Sequence, residues 1–219
     1  MTDRAVGDLV KGQLFLFGGL GLCVLVLPAG LSANSGISYY GVHWASSAPY
    51  AAGLAGAAWF TRSGLRTAAA NTPAPRFVAW AADLFALLLA GVVVTPYTVN
   101  SAVDWIHRLL GASLFVLQLV LAGHLVAAVG RDLTSLLLLA VQFGGGVASA
   151  IYLLPATGYL FQAQLVFQLG FGLLVIREVA RLRRAAPSGL QQAAHPTAGH
   201  GEPEPGEDNQ VTDMPEQAH

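Results

Sequence analysis

Six long apolar stretches dominate this 219-residue chain and constrain its fold more than any other feature. A transmembrane α-helix needs about 20 mostly apolar residues, and each stretch is close to that length. Charged residues make up only 11% of the chain, whereas soluble domains carry about 25%, so lipid is the expected solvent. The predicted helices cover residues 12–31, 45–61, 77–96, 109–129, 133–154 and 158–176.

These stretches predict an all-α fold, a polytopic six-helix transmembrane bundle formed by residues 1–184. The connections 130–132 and 155–157 are so short that the helices they join must be antiparallel. Residues 185–219 contain no Lys or Arg and are rich in Pro, Gly, Gln and acidic residues. They have too little apolar surface to offset the entropy of ordering, so a disordered cytoplasmic tail is predicted.

Basic residues alternate between the segments that join the predicted helices. If the N-terminus lies in the cytoplasm, the cytoplasmic segments contain ten of the eleven Lys and Arg residues, and the outer segments contain only Arg108. Positive charge collects on the cytoplasmic side of membrane proteins, so both ends are predicted to be cytoplasmic. The second stretch is short and rich in Ala and Gly, but without it this alternation would be lost.

The first stretch can also be interpreted as a cleaved signal peptide, because Arg4 and Lys11 precede it and small residues follow. Its apolar run exceeds the 7–15 residues typical of signal peptides, which favours an uncleaved helix. The single cysteine, Cys23, lies in this stretch and is interpreted as a buried apolar side chain.

Two ionisable residues lie inside predicted helices, Asp83 in the third and His124 in the fourth. At 1.5 Å per residue, both are roughly 7–9 Å from the same end of two antiparallel helices. We therefore expect them to pair or to face one polar pocket. Such a pair either stabilises the bundle, which is the favoured interpretation, or relays a proton.

Glutamines form a second polar set in the last three predicted helices. Hydrogen bonds between membrane helices are worth roughly 0.6–2 kcal/mol, so these side chains are expected to hold helices together. The alternative is a polar path for a substrate. The set consists of Gln118, Gln142, Gln162, Gln164 and Gln168.

The predicted outer face carries a third polar set. Asp104, His107 and Arg108 share one helical face, and His43 lies in the first outer loop. Two histidines and a carboxylate are ligand types for zinc, but the spacing favours a salt-bridged helix start, and no metal is predicted. Tyrosines gather at the same boundary, either as an interfacial belt or around a cavity for a lipid or another apolar ligand.

Residues 34–41, which read Asn-Ser-Gly-Ile-Ser-Tyr-Tyr-Gly, follow the first helix, and Ile106-His107 opens the fourth, with Gly111 and Phe115 further along. This layout resembles the six-helix family that includes the DRAM autophagy modulators and their fungal relatives, and also bacterial six-helix families of unknown function. The resemblance implies a six-helix fold and a role in membrane or lipid homeostasis, without catalysis. It marks an outer-loop element that consists of Ile37, Ser38, Gly41 and His107.

Three classes of function remain open. The favoured class is a non-enzymatic membrane protein that binds lipids or a partner protein, with a homo-oligomer among the options. The alternatives are a small proton-coupled transporter that uses Asp83 and His124, and a membrane enzyme or redox subunit. No P-loop, G-x-S-x-G or H-E-x-x-H motif is present, and no cofactor or nucleic-acid partner is predicted. The Gly-, Ala- and Arg-rich composition suggests a bacterial plasma membrane.

Overall fold

The computed structural model describes residues 2–153 and 158–185, and every regular element in these ranges is a helix. This confirms the all-α class for the described residues. The predicted tail beyond residue 185 and the predicted connection 155–157 lie outside them. The α-helices are α1 (Thr2–Val26), α2 (Trp44–Ala69), α3 (Pro75–Val94), α4 (Ser101–Val129), α5 (Leu133–Leu153) and α6 (Leu160–Ala185), and two 3-10 helices, Pro28–Ser32 and Gly36–Gly41, separate α1 from α2.

The observed helices extend beyond the apolar stretches that predicted them. α2 continues to Ala69 rather than ending at 61, α4 begins at Ser101 rather than 109, and α6 continues to Ala185 rather than 176. Backbone hydrogen bonding continues where the side chains become polar, because only the apolar face of a helix has to be buried. The apolar criterion therefore located these helices but missed their polar ends.

α1 differs most from its predicted range of 12–31, because it begins at Thr2 and ends at Val26. The 3-10 helix that follows has Pro28 at its first position. Proline has no N–H to continue an α-helix, and its ring clashes with the preceding turn. The sequence 28–32 therefore leaves the axis of α1 and begins a separate element.

Local signals set the other helix ends. Pro75 occupies the first turn of α3, where a missing N–H costs nothing. The side chain of Asn100 caps α4 by accepting a hydrogen bond from the Val103 N–H (2.9 Å). α4 ends at Val129, and the next residue, Gly130, has a φ of 103° that is disfavoured for residues with a side chain.

Neighbouring helices run in opposite directions. In α1 and α2, Gly12 faces Thr61 while Gly19 faces Gly53. In α3 and α4, Gly91 faces Leu110 while Phe77 packs on His124. The α5–α6 pair repeats this pattern, so the bundle has an up-and-down order.

The up-and-down order gives the bundle two chemically different ends. One end, called here the loop end, carries both 3-10 helices and the starts of α2, α4 and α6. The opposite end, called here the basic end, collects ten of the eleven Lys and Arg residues, all except Arg108. These ten are Arg4, Lys11, Arg62, Arg66, Arg76, Arg131, Arg177, Arg181, Arg183 and Arg184.

Four helical segments are long and apolar enough to cross a membrane, judged by length and composition. α2 and α6 are also long, with 26 residues each, but they carry more small or charged residues. The four segments within the described part of the chain are Asp3–Val26, Pro75–Val94, Ser101–Val129 and Leu133–Tyr152.

Candidate functional site

A cavity of about 490 Å³ lies inside the bundle. Residues of all six α-helices and of the second 3-10 helix line it. Its volume falls within the roughly 300–1,000 Å³ of small-molecule sites, which are also mostly apolar. The apolar wall includes Leu16, Leu54, Phe85, Leu89, Leu114 and Phe171.

The cavity is elongated along the bundle axis. On α2, its wall consists of Tyr50, Leu54, Ala57 and Thr61, which recur every three or four residues and therefore share one helical face. Thr61 lies eleven residues after Tyr50, which corresponds to roughly 16 Å of helix at 1.5 Å per residue. A cavity of this length and volume is narrow, and its dimensions match one extended hydrocarbon chain.

Ser38 and His107 meet at the loop end of the cavity. The Ser38 Oγ lies 2.8 Å from Nε2 of His107, although 69 residues separate them in the sequence. The Thr95 hydroxyl donates to the Gly91 carbonyl (2.7 Å), so it can accept the N–H of His107 Nδ1, 3.4 Å away. Nε2 is then the acceptor for the Ser38 hydroxyl.

A serine beside a histidine is also found in nucleophilic enzymes, where a carboxylate orients the histidine. In this bundle the group beside Nδ1 of His107 is the neutral hydroxyl of Thr95. The contact therefore differs from those enzymes in the group that lies beside Nδ1 of the histidine.

The rest of the outer-loop segment packs against α2 and α6. The Ile37 N–H donates to Gln164 Oε1 of α6 (2.7 Å). Gly36 has a φ of +58°, and a Cβ there would lie 2.2 Å from the same Gln164 oxygen, so a side chain is excluded twice. A Cβ on Gly41 would come within 2.7 Å of the Tyr50 ring. The segment therefore folds over this end of the cavity.

The predicted outer polar set is divided between two places. Arg108 Nε donates to both carboxylate oxygens of Asp104 at 3.0 Å, which is a salt-bridged helix start. Asp104, His107 and Arg108 all line the cavity. His43 instead bonds the Tyr39 carbonyl through Nδ1 (2.8 Å) and packs on the Tyr39 ring. No group of three His, Cys, Asp or Glu residues able to hold a metal is found in the described part of the chain.

The glutamines are likewise divided. Gln118 and Gln168 exchange hydrogen bonds in both directions (3.0 and 3.3 Å). Gln164 holds the outer loop, and Gln162 donates to the Leu31 carbonyl (2.8 Å). Gln142 is fully buried against Gly170 of α6, and neither of its amide atoms has a hydrogen-bond partner among the described residues. Only part of the set faces the cavity, because Gln164 and Gln168 line it.

Two polar residues that the sequence analysis did not single out line the deeper part of the cavity. Thr61 on α2 is only 1% exposed, and its hydroxyl has no hydrogen-bond partner among the described residues. Oε1 of Gln13 on α1 also has no hydrogen-bond partner among the described residues. Both residues line the cavity. Their only sequence signal is a polar residue within an apolar helix, which many structural residues share.

The predicted pair of Asp83 and His124 is not formed. Asp83 instead bonds Arg62 Nε (2.7 Å) and Arg66 Nη1 (2.9 Å) of α2, because these two arginines lie one turn apart on the helix that packs beside α3. Its side chain is 43% exposed. The His124 ring packs edge-on against Phe77, with a centroid distance of 4.9 Å, and its Nε2 has no hydrogen-bond partner among the described residues.

A further ionic cluster at the basic end joins the start of α5 to α6. Asp132 accepts a hydrogen bond from the Ser135 N–H (3.0 Å) and two from Arg177 (3.0 Å each). The Ser135 N–H and then the Arg177 guanidinium lower the pKa of Asp132 to about 2. The fully buried Glu178 accepts from Ser135 and Arg181. The cluster ties the start of α5 to α6, and none of its residues lines the cavity.

Comparisons with known protein families, curated proteins and solved structures found no match. The resemblance to the DRAM-like family therefore stays a prediction.

Proposed function

We propose that the chain is an integral membrane protein that crosses a bacterial plasma membrane six times, with both ends in the cytoplasm. Four helices that are long and apolar enough to cross a membrane support this topology, and α2 and α6 pack with them in one antiparallel bundle. The collection of basic residues at one end supports the orientation, because positive charge favours the cytoplasmic side.

The function that the geometry supports best is non-enzymatic binding of one single-chain amphiphile, or of a similarly elongated apolar molecule, inside the bundle. The observation that carries this proposal is the 490 Å³ cavity, with its long apolar wall and its polar groups near the two ends. An extended chain gains about 1.2 Å per bond, as a peptide does with 3.3–3.6 Å per three bonds. A wall of roughly 16 Å then matches 13 or 14 bonds.

Proton transport through Asp83 and His124 has less support. Asp83 is neutralised by Arg62 and Arg66, and the ring of His124 faces Phe77 instead of the carboxylate. A proton relay requires groups within hydrogen-bond reach of each other or of ordered water. The cavity reaches neither residue.

The test of ligand binding is native mass spectrometry of gently extracted protein, with a variant that fills the cavity. Gly111 lines the cavity, and a Cβ there would meet nothing within 4 Å. Gly111→Phe is therefore expected to place its ring in the cavity and to abolish the retention of a single-chain lipid at one molecule per chain. Gly123→Phe is the matched control, since Gly123 lies on the same helix, has equally open surroundings and does not line the cavity.

Retention by the wild-type protein and by Gly123→Phe, with loss in Gly111→Phe, would support binding in the cavity. Equal retention by all three proteins would place any bound lipid on the outer surface and would overturn the proposal.

A further inference from the structure

Arg108 differs from the other basic residues of the chain in its position. It lies near the loop end and lines the cavity, whereas the other ten Lys and Arg residues lie at the basic end. It also belongs to Ser101–Val129, one of the four segments that are apolar enough to cross a membrane. A charged side chain in such a segment is costly unless another group pairs with it. The partners of Arg108 therefore indicate what it can bind.

Asp104 occupies only one of the three guanidinium nitrogens of Arg108. Arginine has five N–H groups, and the single Nε–H donates to both carboxylate oxygens of Asp104, at 3.0 Å each. The terminal nitrogens Nη1 and Nη2 have no hydrogen-bond partner among the described residues. At the basic end, by contrast, terminal nitrogens of Arg66 and Arg177 bind carboxylates. The Arg108 side chain is 50% exposed, so a ligand group at the loop end can reach it.

The chemistry of these donors favours an anion. The Nη1–Nη2 edge of a guanidinium is a planar fork, and its parallel N–H groups match two oxygens of a carboxylate or a phosphate. A neutral hydroxyl has a single oxygen and cannot form this bidentate pair. An ammonium group would be repelled by the same edge, and both oxygens of Asp104, the carboxylate that lines the cavity, already accept from Arg108.

The position of Arg108 also sets the direction of the chain. Its neighbour His107 contacts Ser38 at the loop end, and the apolar wall of α2 runs from Tyr50 towards Thr61. A head at Arg108 therefore leaves the chain to extend along this wall towards the basic end. In the proposed topology the loop end faces outwards, so the charged head lies near the polar surface of the membrane and the chain near its hydrocarbon core.

We infer, on the basis of the proposed lipid binding, that the ligand is a single-chain amphiphile with an anionic oxygen head, either a carboxylate or a phosphate. The head binds the Nη1–Nη2 edge of Arg108, and the chain fills the cavity. Asp104 is a positioning residue, because it holds the guanidinium through Nε and leaves the opposite edge for the ligand.

The experiment compares three probes with the same chain: tetradecanoate, tetradecyl phosphate and 1-tetradecanol. Each is titrated at mildly alkaline pH into the purified full chain in a non-ionic detergent, free probe is removed by gel filtration, and retained probe is quantified by liquid chromatography–mass spectrometry. Charge-assisted hydrogen bonds are about twice as strong as neutral ones, so both anions are expected to bind at least about tenfold more tightly than the alcohol. The tighter of the two anions distinguishes a fatty-acid ligand from a phosphate-bearing one.

Paired variants isolate the charge of Arg108. Arg108→Gln alone would leave the negative charge of Asp104 without a partner, so the comparison is made in an Asp104→Asn background. Asp104→Asn is expected to keep the preference for anions. Adding Arg108→Gln is expected to weaken the binding of both anions about tenfold and to leave alcohol binding unchanged.

Arg76→Gln is the matched control. Arg76 is also an exposed arginine near the start of a helix, but it lies at the basic end and does not line the cavity. Its substitution should leave the preference for anions intact. Gly111→Phe, which fills the cavity, should abolish the retention of both anions.

The failures of the two proposals are distinguishable. Equal binding of the alcohol and the anions by the wild-type protein would overturn the anionic head and leave lipid binding standing. An unchanged preference in the Asp104→Asn/Arg108→Gln double variant, or an equal loss in Arg76→Gln, would overturn the assignment to Arg108. Anion binding that survives in Gly111→Phe would place the head outside the cavity. Failure of the wild-type protein to retain any of the three probes would overturn both proposals.

Discussion

Gln118 and Gln168 illustrate how a buried polar residue depends on one partner. Their amides exchange two hydrogen bonds, at 3.0 and 3.3 Å, and the residues are only 1% and 8% exposed. Both side chains are largely shielded from water, and each provides the hydrogen-bond partner of the other. Gln142, with its two unpaired amide atoms, is the contrasting case.

A double-mutant cycle tests this pair. Gln118→Leu and Gln168→Leu are each expected to lower the free energy of unfolding by about 1–3 kcal/mol, because the remaining amide is left buried and unpaired. The double variant should lose less than the sum, with a coupling of about 0.6–1.7 kcal/mol. Chemical unfolding in detergent measures the four proteins, and strictly additive losses would show that the amides do not stabilise each other.

At the scale of the elements, glycines set the distance between α1 and α2. A Cβ on Gly19 would lie 2.7 Å from the Gly53 Cα and 2.9 Å from the Pro49 carbonyl oxygen. A Cβ on Gly12 would lie equally close to Thr61, and a Cβ on Gly64 would lie equally close to Leu9. Small residues that let two backbones approach are the usual basis of association between membrane helices. This close packing also fixes the position of Gln13 relative to Thr61.

Adjacent glycines provide a controlled test of this packing. Gly19→Ala is expected to destabilise the bundle by about 1–3 kcal/mol, because the added methyl group meets backbone that cannot move aside. Gly18→Ala places its methyl group in open space, and it should be neutral or stabilising by up to about 1 kcal/mol, since alanine favours helix. The shift of the unfolding midpoint in detergent measures both. Equal midpoints for the two variants would argue against close packing at Gly19.

At the scale of the whole molecule, the charge distribution and the cavity depend on the same up-and-down order. Alternating helix directions place ten of the eleven basic residues at one end. The same order brings Tyr50 of α2, His107 of α4 and Gln164 of α6 together at the other end of the cavity. The proposed orientation therefore opens the loop end towards the outside of the cell.

Cysteine labelling of intact cells tests that orientation. In a Cys23→Ala background, Ser101→Cys at the loop end should react with a membrane-impermeant maleimide, whereas Asn71→Cys at the basic end should react only after the membrane is permeabilised. Both positions are exposed on the protein surface, so a difference in labelling reports the side of the membrane and not burial within the bundle. The reverse labelling pattern would contradict the positive-inside assignment.

The sequence by itself determined the helical class, the approximate positions of the helices and the segregation of charge. These features depend on local properties, since the length of an apolar run and the placement of Lys and Arg are readable without any contact between helices. The exact helix ends were less predictable. At Ser101 and Ala185 the helix continues through polar residues that an apolar criterion excludes.

Only the tertiary structure decided which polar side chains meet. Similar depth suggested a pair between Asp83 and His124, but depth does not specify the rotation of a helix about its axis. That rotation depends on close contacts between neighbouring helices, and it turns Asp83 towards Arg62 and Arg66. For the same reason the contact between Ser38 and His107, and the positions of Gln13 and Thr61 along one cavity, emerge only when all the helices pack together.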